Sequence, residues 1–348
     1  MAAYLNSIGT AVPSLSLEQS QISELLKHHY SEELSSRSLD VLEKVLLHPG
    51  IKKRHFAAEN LRELEEIRNE HPDIRASRFQ KWVVSLSAEA LKKAASKADV
   101  DIKSIDAIIT NTCTGYLCPG ISSYLIEELG LDNSVRVYDL AGMGCGGAIP
   151  NLQLASSLVQ AENITVAGIA VEICSATFQM GNDMSLLISN ALFGDGAAAF
   201  IVSPERSGFE ILSSCSGIFP QYREAVRYVY KNGQLHNKLS PGLPQILSSL
   251  LPSFVKDLLS GTAISEINNW AIHPGGEKIL NSVQSSLSLT ESKIGTSRNI
   301  LKEYGNMSSP SVMFAIDKLK ENISSGESVC VLGFGAGLSV HGTLLKSV

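Results

Sequence analysis

The chain has 348 residues, 44% of them hydrophobic, and this length can bury a substantial core in one large domain or in two fused halves. Its 29 Lys and Arg residues against 35 Asp and Glu residues give a net charge of -6, which excludes a general basic surface for nucleic acid or an anionic membrane. The N-terminal sequence shows no cationic leader before an apolar segment, and no run of about 18 apolar residues occurs. We therefore expect a globular, cytoplasmic protein without a membrane span.

Strand and helix patterns alternate along the chain. In the first half, SIDAIITNTCTG predicts a strand and loop, ISSYLIEELGL a helix, SVRVYDLAG a strand, CGGAIPNLQLASSLVQA a helix and ITVAGIAVEI a strand. In the second half, EINNWAIHPGG predicts a strand and loop, EKILNSVQSSLSL a helix, MSSPSVMFAIDKL a helix after a further loop, and SVCVLGFGAG a closing strand. This alternation favours an α/β protein with mainly parallel sheets that are covered by helices.

The two halves repeat with nearly the same spacing. Asn111 and Cys145 lie 34 positions apart, and His273 and Asn306 lie 33 positions apart. A duplicated unit favours two sheets about a pseudo-twofold axis, in five layers of the order αβαβα. We expect an N-terminal half of residues 1–205 and a C-terminal half of residues 206–348, with Cys145 and Asn306 each between a strand and a helix near the centre, and His273 at the end of a neighbouring strand.

Cys145 is the first candidate for chemistry, because it lies in the glycine-rich segment DLAGMGCGGAIPN. The flanking glycines leave its sulfur open and let backbone N–H groups approach it. Pro150 cannot lie deep in a helix, so we expect the helix to begin close to Cys145, where its dipole lowers the pKa of the thiol. The six cysteines form no CxxC or His-spaced pair, which disfavours disulfides and zinc.

Eight motifs in order resemble one family. GIKKRHFA, TCTGYLCPG, GMGCGGAIPNLQLA, AVEICSATF, NALFGDGAAA, AIHPGG, EYGNMSS and GFGAG span nearly the whole chain and resemble the type III polyketide synthases, the chalcone synthase-like enzymes of the thiolase fold. A related ketoacyl synthase of the third type typically carries HQAN where this chain has HPGG at positions 273–276. The resemblance therefore favours the polyketide synthase branch.

The resemblance implies roles for three residues and requires no metal or redox cofactor. Cys145 would accept an acyl group from coenzyme A, while His273 and Asn306 would hold the malonyl-CoA carbonyl and stabilise the enolate left after decarboxylation. His273 would also keep Cys145 as a thiolate. The chemistry agrees, because a thiolate needs a cationic neighbour or a helix N-terminus and an enolate oxygen needs fixed N–H donors. Taken singly, the three residues would more often be a structural thiol, a turn histidine and a helix cap.

Further positions around the active site follow only from the resemblance. Phe193 corresponds to an aromatic gate between the coenzyme A tunnel and the elongation cavity, and Asn237 stands in place of a second gate Phe, which would widen the tunnel mouth or change its chemistry. Gly335 and Ala336 lie in the loop that shapes the active-site wall, where Ala336 replaces a Pro and predicts a less rigid loop. The other expected cavity residues are Thr114, Cys174, Ala176 and Thr177.

Substrate and partner contacts are also expected from the resemblance. Lys44 matches a position that binds the phosphates of coenzyme A, whereas His48 replaces another basic residue. The charged run at 52–54 favours a solvated face, and from it we assign Arg54 to phosphate contact. We expect a homodimer in which Cys118, on the exposed loop TGYLCPG, reaches the cavity wall of the partner. An acyl carrier protein is an alternative acyl donor.

The sequence is compatible with three functions. The first is a type III polyketide synthase that loads an acyl-CoA starter on Cys145, extends it with malonyl-CoA and cyclises some products. The second is a single-round condensing enzyme that makes a β-ketoacyl product and stops. The third is a non-catalytic binding subunit, which is disfavoured because a buried His and Asn without a task would cost stability.

Overall fold

The computed structural model describes residues 1–231 and 233–348. Within these residues, no helix is both long enough and apolar enough to cross a membrane. The expected alternation of strands and helices is present, with two differences. A further strand, Ser339–Ser347, follows the strand expected to close the fold. Residues Glu291–Tyr304 form a helix where a loop was expected, because apolar residues recur there at a helical spacing and bury Ile294, Ile300 and Leu301.

The N-terminal half contains the nucleophile candidate. Its strands are β1 (Tyr4–Ala11), β2 (Ser16–Glu18), β3 (Lys53–His55), β4 (Ala107–Asn111), β5 (Arg136–Leu140), β6 (Val166–Glu172) and β7 (Gly196–Ser203). Its helices are α1 (Gln19–Tyr30), α2 (Ser36–Leu46), α3 (Leu61–Glu66), α4 (Pro72–Ala98), α5 (Ile121–Leu129), α6 (Ala148–Glu162) and α7 (Met184–Leu192). The boundary expected between residues 205 and 206 falls in the connection between β7 and the next strand, and the division itself stays a prediction.

The C-terminal half contains the histidine and asparagine candidates. Its strands are β8 (Phe209–Ile218), β9 (Val226–Lys231), β10 (Gln234–Leu239), β11 (Asn269–Ile272), β12 (Ser328–Gly335) and β13 (Ser339–Ser347). Its helices are α8 (Leu243–Leu259), α9 (Glu277–Ser286), α10 (Glu291–Tyr304) and α11 (Pro310–Lys320). Pro310 starts α11, a position where the missing N–H of proline costs no helical hydrogen bond.

The large sheet is mixed, as expected, and its antiparallel pairs outnumber its parallel pairs within the described residues. Its strand order is β11-β12-β13-β8-β1-β7-β6-β4-β5, and only the pairs β11–β12, β4–β6 and β4–β5 are parallel within the described residues. The two halves are also joined rather than separate, because Tyr4 and Leu5 of β1 pair with Glu210 and Phe209 of β8. β13 follows β12 directly and β7 follows β6 after helix α7, and both pair antiparallel with the strand before them. The strand–helix alternation in the sequence did not reveal these directions.

Two helices form the central layer between the sheet regions of the two halves. Helix α6 contacts β4 and β6 on one side and β8 and β13 on the other, and α11 contacts β1, β7, β11 and β12. Both helices are buried through small or apolar side chains, such as Ala155 in α6 and Ala315 in α11. Helices α4 and α5 cover the N-terminal strands, while α8 and α10 cover the C-terminal strands. The segments that precede α6 and α11 therefore lie inside the molecule.

Candidate active site

Cys145 lies in a one-turn 3-10 helix, Gly144–Gly146, directly before α6. Gly144 has a φ of 59°, and a Cβ atom added there would lie 2.8 Å from the backbone nitrogen of Ala336. A Cβ added at Gly146 would lie 3.1 Å from the nitrogen of Gly335. The glycines are thus required because the loop after β12 packs directly against the cysteine turn. Pro150 occupies the first turn of α6, as the sequence predicted.

Asn306 lies between two helices, α10 and α11, and not after a strand as expected. Its main chain forms a single bridge with Phe193, in which Asn306 N donates to Leu192 O at 2.9 Å and Gly194 N donates to Asn306 O at 3.0 Å. Its side chain is not the cap of α11, because Asn306 Oδ1 accepts from Ser308 N at 2.8 Å, before the helix begins. The bridge and this bond orient the amide group.

His273 and Asn306 meet at the loop that follows β11. His273 N donates to Leu332 O of β12 at 2.8 Å, which continues the parallel pairing past the end of β11. Asn306 Nδ2 donates to Gly275 O at 3.2 Å, and a Cβ added to Gly275 would lie 3.5 Å from His273 Nε2. The imidazole and the carboxamide therefore both lie beside Gly275, and together they offer two N–H donors for one oxygen atom.

A serine and a buried glutamate adjoin Cys145, and neither was identified from the sequence. Ser308 Oγ lies 3.3 Å from Cys145 Sγ, to which it can donate, and also 3.3 Å from Glu172 Oε1. Glu172 is fully buried at the end of β6 and accepts hydrogen bonds from Cys113 N at 2.9 Å and Thr114 Oγ1 at 2.9 Å. Its only sequence signal is an acidic residue that ends an apolar strand, in the segment IAVE.

Burial shifts the pKa values of both catalytic candidates towards their uncharged forms, and the thiolate expected in the free protein stays a prediction. Burial raises the pKa of Cys145 to about 12, although the hydrogen bond from Ser308 opposes this increase. Burial lowers the pKa of His273 to about 4. The pKa of Glu172 is also raised by burial, against hydrogen bonds from Cys113 and other donors. Both shifts favour the thiol form of Cys145 and the uncharged imidazole form of His273.

Comparisons with known proteins agree on one family. The family described as "FAE1/Type III polyketide synthase-like protein" matches residues 12–210, and "Chalcone and stilbene synthases, C-terminal domain" matches residues 210–348. A 3,5-dihydroxyphenylacetyl-CoA synthase from Streptomyces toyocaensis is 30% identical over 284 residues, which are 77% of this chain and 73% of the relative. The chain belongs to the type III polyketide synthases.

Two further comparisons extend this result to the whole chain. Probable polyketide synthase 1 from Dictyostelium discoideum is 26% identical over 99% of this chain, which spans 11% of that protein's length. The crystal structure of the C-terminal type III polyketide synthase domain of Steely1, a type I/III hybrid from Dictyostelium, is 26% identical with a TM-score of 0.93, and 100% of both chains is covered. The protein is therefore a condensing enzyme of the acyltransferase type with the thiolase fold.

The expected cavity residues of this type III polyketide synthase lie in different places. Cys174, Thr177, Phe193 and Asn237 line one cavity, whose empty volume is about 870 Å³ with part of it open to solvent. Four other expected positions do not line it. Thr114 donates a hydrogen bond to Glu172, Ala176 belongs to the core of the N-terminal half, and Gly335 and Ala336 lie against the cysteine turn.

Tyr228 was not identified from the sequence. It lies in β9 opposite Asn237 of β10, and the nearby Thr177 side chain favours the ionised form of its phenol. Burial, followed by the nearby thiol of Cys113, raises the pKa of this phenol well above its usual value. Asn237 of β10 stands where the resemblance to the family predicts a second gate Phe. The paired strand β9 supplies an aromatic side chain, Tyr228, directly opposite this position.

The loop GFGAG contacts the cysteine turn through its backbone. Ala336 N donates to Met143 O at 3.2 Å, and a Cβ added to Gly335 would lie 2.2 Å from the same oxygen. Gly337 N donates to Val226 O at 3.3 Å, which also attaches the loop to β9. The loop is bonded on both sides of Ala336, and its lower rigidity relative to a proline-containing loop stays a prediction.

Of the two residues expected to contact coenzyme A, only Lys44 is exposed. Lys44 lies in the last turn of α2, and nearby His48 pairs with Glu277 at 2.9 Å, at the start of α9. Arg54 is only 2% exposed, and its Nη1 donates to Phe193 O at 2.6 Å. The expected solvated face therefore does not include Arg54, because β3 turns this side chain inward beside the gate residue.

Cys118 is exposed on the loop between β4 and α5, next to Tyr116, which is 79% exposed. This loop is held on α4, since a Cβ added to Gly115 would lie 2.5 Å from the Phe79 ring. Within the described residues, no group of His, Cys, Asp and Glu side chains is arranged to hold a metal ion.

Proposed function

We propose that the synthase loads an acyl group from an acyl-CoA onto Cys145 and extends it with malonyl-CoA by decarboxylative Claisen condensation. The observation that carries this proposal is the convergence of His273 and Asn306 on Gly275, in the same interior region where Ser308, two residues after Asn306, contacts Cys145. These contacts support one site in which Cys145 from the N-terminal half acts beside the two N–H donors, His273 and Asn306, from the C-terminal half. This arrangement fits acyl transfer followed by enolate stabilisation.

In the proposed mechanism, acyl loading begins with an uncharged Cys145 thiol and an uncharged His273 imidazole. As the thioester approaches, the proton of Cys145 Sγ moves to the imidazole of His273, and the resulting thiolate attacks the thioester carbonyl. The coenzyme A thiolate leaves as the carbonyl re-forms, and it takes the proton from His273. Starting from neutral groups avoids a charged pair in a buried site, where each unpaired charge would be costly.

Condensation uses the two donors beside Gly275. The thioester oxygen of malonyl-CoA accepts hydrogen bonds from His273 and Asn306 Nδ2 while the bond to the carboxylate breaks and carbon dioxide leaves. The carbanion carbon of the enolate attacks the acyl group on Cys145, and Cys145 departs as the thiolate. Donors aimed at a developing oxyanion in a water-poor site typically contribute about a hundredfold to a thousandfold each in rate.

The proposal needs only coenzyme A thioesters and no cofactor. We further propose a homodimer, since β5 is an edge strand with Val137 43% exposed and the Cys118 loop projects beside it. In that dimer, Cys118 would contribute to the partner's cavity. An acyl carrier protein is an alternative donor, which a direct comparison of carrier-bound and coenzyme A-bound starters distinguishes.

Incubation of the purified protein with malonyl-CoA and a panel of acyl-CoAs, followed by mass spectrometry, tests the function. We expect covalent acylation of Cys145, and products with two or more malonyl-derived units, in part as lactone or resorcinol rings. Cys145→Ser is the control that should lose the acyl-enzyme. A single β-ketoacyl product from every starter would instead favour the single-round enzyme.

A further inference from the structure

The cavity lined by Phe193 extends from this gate residue towards the surface between α1, α3 and α7. Its outer rim is polar: His29 Nε2 lies 3.8 Å from Glu65 Oε1, and the exposed Arg68 donates to His29 O at 3.4 Å. Its middle is formed by aliphatic side chains of three helices. These include Ile22, Leu25, Leu26, Leu64 and Leu186.

The inner end of the cavity adjoins the catalytic segment. Phe193 lines the cavity, and its main chain pairs with Asn306. Arg54 also lines it, and the arginine stem packs so closely that a Cβ added to Gly305 would lie 2.7 Å from Arg54 Cγ. The cavity therefore ends at Phe193 and Arg54, beside the segment that carries the proposed enolate donor Asn306.

Arg54 gives the inner end a buried polar group that lacks a partner, whereas Ser189 and Asn190, which also line the cavity from α7, donate hydrogen bonds to main-chain oxygens. Arg54 Nε donates to Gln19 Oε1 at 2.9 Å and its Nη1 to Phe193 O, whereas the buried Nη2 has no hydrogen-bond partner in the protein. A buried guanidinium nitrogen without an acceptor is costly, and an oxygen atom of a bound molecule would satisfy it. The ligand that fits is thus aliphatic over most of its length and carries an oxygen near its inner end.

We propose that this cavity binds the alkyl tail of a medium- or long-chain aliphatic acyl group carried on Cys145, and that Arg54 Nη2 donates to a ketone oxygen of the chain after extension. The inference rests on the proposed function and names its starter class. Extension places the ketone oxygens next to the thioester and pushes the alkyl tail outwards. The oxygens then lie at the Arg54 end and the methylenes lie among the leucines.

The cavity differs from the expected route of coenzyme A. The residues near that route, Lys44 on α2 and the His48–Glu277 pair beside α9, do not line the cavity. An acyl chain in the cavity and the nucleotide of coenzyme A near α2 can therefore be bound at the same time, with the thioester between them.

Chain-length dependence of Cys145 acylation tests the aliphatic part. With butyryl-, octanoyl- and dodecanoyl-CoA, kcat/KM for acyl-enzyme formation, followed by intact mass, should rise by up to about fourfold for each added methylene until the tail reaches the rim. Leu64→Trp narrows the cavity from α3 and should lower the dodecanoyl-to-butyryl ratio of kcat/KM at least about tenfold, because several methylenes lose their contacts. Leu61→Trp is the matched control, since Leu61 lies on the same helix, is 44% exposed and does not line the cavity.

The outcomes separate this inference from the proposed function. A wild-type preference for butyryl-CoA, or an equal ratio in Leu64→Trp and Leu61→Trp, overturns the inference while acylation itself still supports the function. No acylation of Cys145 by any thioester contradicts the function instead. If circular dichroism shows that Leu64→Trp does not fold, Leu25→Trp replaces it and narrows the cavity from α1. The chain-length dependence of acylation in the wild-type protein tests the inference in either case.

A separate experiment tests the proposed hydrogen bond from Arg54 to a ketone oxygen of the acyl chain. After correction for the rates at which the two thioesters react with a small free thiol, 3-oxododecanoyl-CoA should acylate wild-type Cys145 about tenfold more efficiently than dodecanoyl-CoA, as expected for a hydrogen bond from a charged donor. Arg54→Lys should remove this preference. Equal corrected efficiencies in the wild-type protein would overturn the assigned contact with Arg54.

Discussion

The turns before α6 and α11 occupy equivalent places in the two halves, yet they are held differently. The Cys145 turn is held by close backbone packing, in which an added Cβ at Gly335 would lie 2.2 Å from Met143 O. The Asn306 turn is held by hydrogen bonds, to Leu192 O and Gly275 O and from Ser308 N. The nucleophile position should therefore respond to side-chain size, and the donor position to polarity.

The largest expected effects come from the two functional side chains themselves. Cys145→Ala should abolish product formation but retain malonyl-CoA decarboxylation, because both donors beside Gly275 remain. Asn306→Ala should lower decarboxylation about a hundredfold to a thousandfold, since one of two oxyanion donors is lost, while Cys145 still becomes acylated. Release of acetyl-CoA and intact mass of the acyl-enzyme measure the two steps.

The decarboxylation rate of Asn306→Ala can contradict the proposed role of Asn306 as a donor to the enolate oxygen. If Asn306→Ala decarboxylates at the wild-type rate, Asn306 only orients the turn before α11. His273→Ala serves as the companion variant and should impair both steps, because the imidazole takes the proton of Cys145 and also holds the enolate oxygen.

Glycine substitutions test the packing of the Cys145 turn. Gly335→Ala forces a Cβ against the backbone oxygen of Met143 and should lower the free energy of unfolding by about 1–3 kcal/mol, with lower acylation of Cys145. Gly295→Ala, in α10 where nothing lies within 4 Å of an added Cβ, should raise it by about 0.5–1 kcal/mol. Urea unfolding measures the free energy of unfolding of both variants. Equal values would contradict the view that close backbone packing holds the Cys145 turn in place.

The pH dependence of Cys145 alkylation tests whether this thiol is ionised before a substrate binds. Because burial raises its pKa to about 12, alkylation of Cys145 by iodoacetamide should keep increasing above pH about 8.5, the pKa of an ordinary thiol, instead of levelling off there. Ser308→Ala removes the hydrogen bond that favours the thiolate, so it should slow alkylation about tenfold at a given pH. The exposed Cys118, mapped in the same digest, is the internal reference. A plateau near the ordinary thiol pKa would show that the thiolate is already stabilised in the free protein.

Glycine spacing and the repeat singled out the three catalytic candidates in the sequence, and their roles, which the family resemblance implies, stay a prediction. Sequence patterns did not predict Glu172, Ser308 or Tyr228, whose positions depend on how β6, α11 and β9 meet in space. The antiparallel pairings of β7 and β13 were missed because alternation of strands and helices does not specify strand direction. Arg54 was assigned to the surface by its charge, whereas the short strand β3 turns it towards Phe193, and only the three-dimensional contacts reveal this.

The smallest expected effect concerns the surface where the two halves meet beside the proposed coenzyme A path. Lys44 is exposed on α2, near the His48–Glu277 pair that joins this region to α9, so its ammonium group is available to a phosphate. An exposed charge contact contributes about 0.2–1 kcal/mol, and Lys44→Ala should therefore raise KM for malonyl-CoA by at most about fivefold and reduce its dependence on salt. The same variant should leave KM unchanged for an N-acetylcysteamine thioester, which has no phosphate. Lys92→Ala, an exposed lysine on α4, is the matched control. If KM for both thioesters rises equally in Lys44→Ala, Lys44 acts through the shape of α2 and not through the phosphates of coenzyme A.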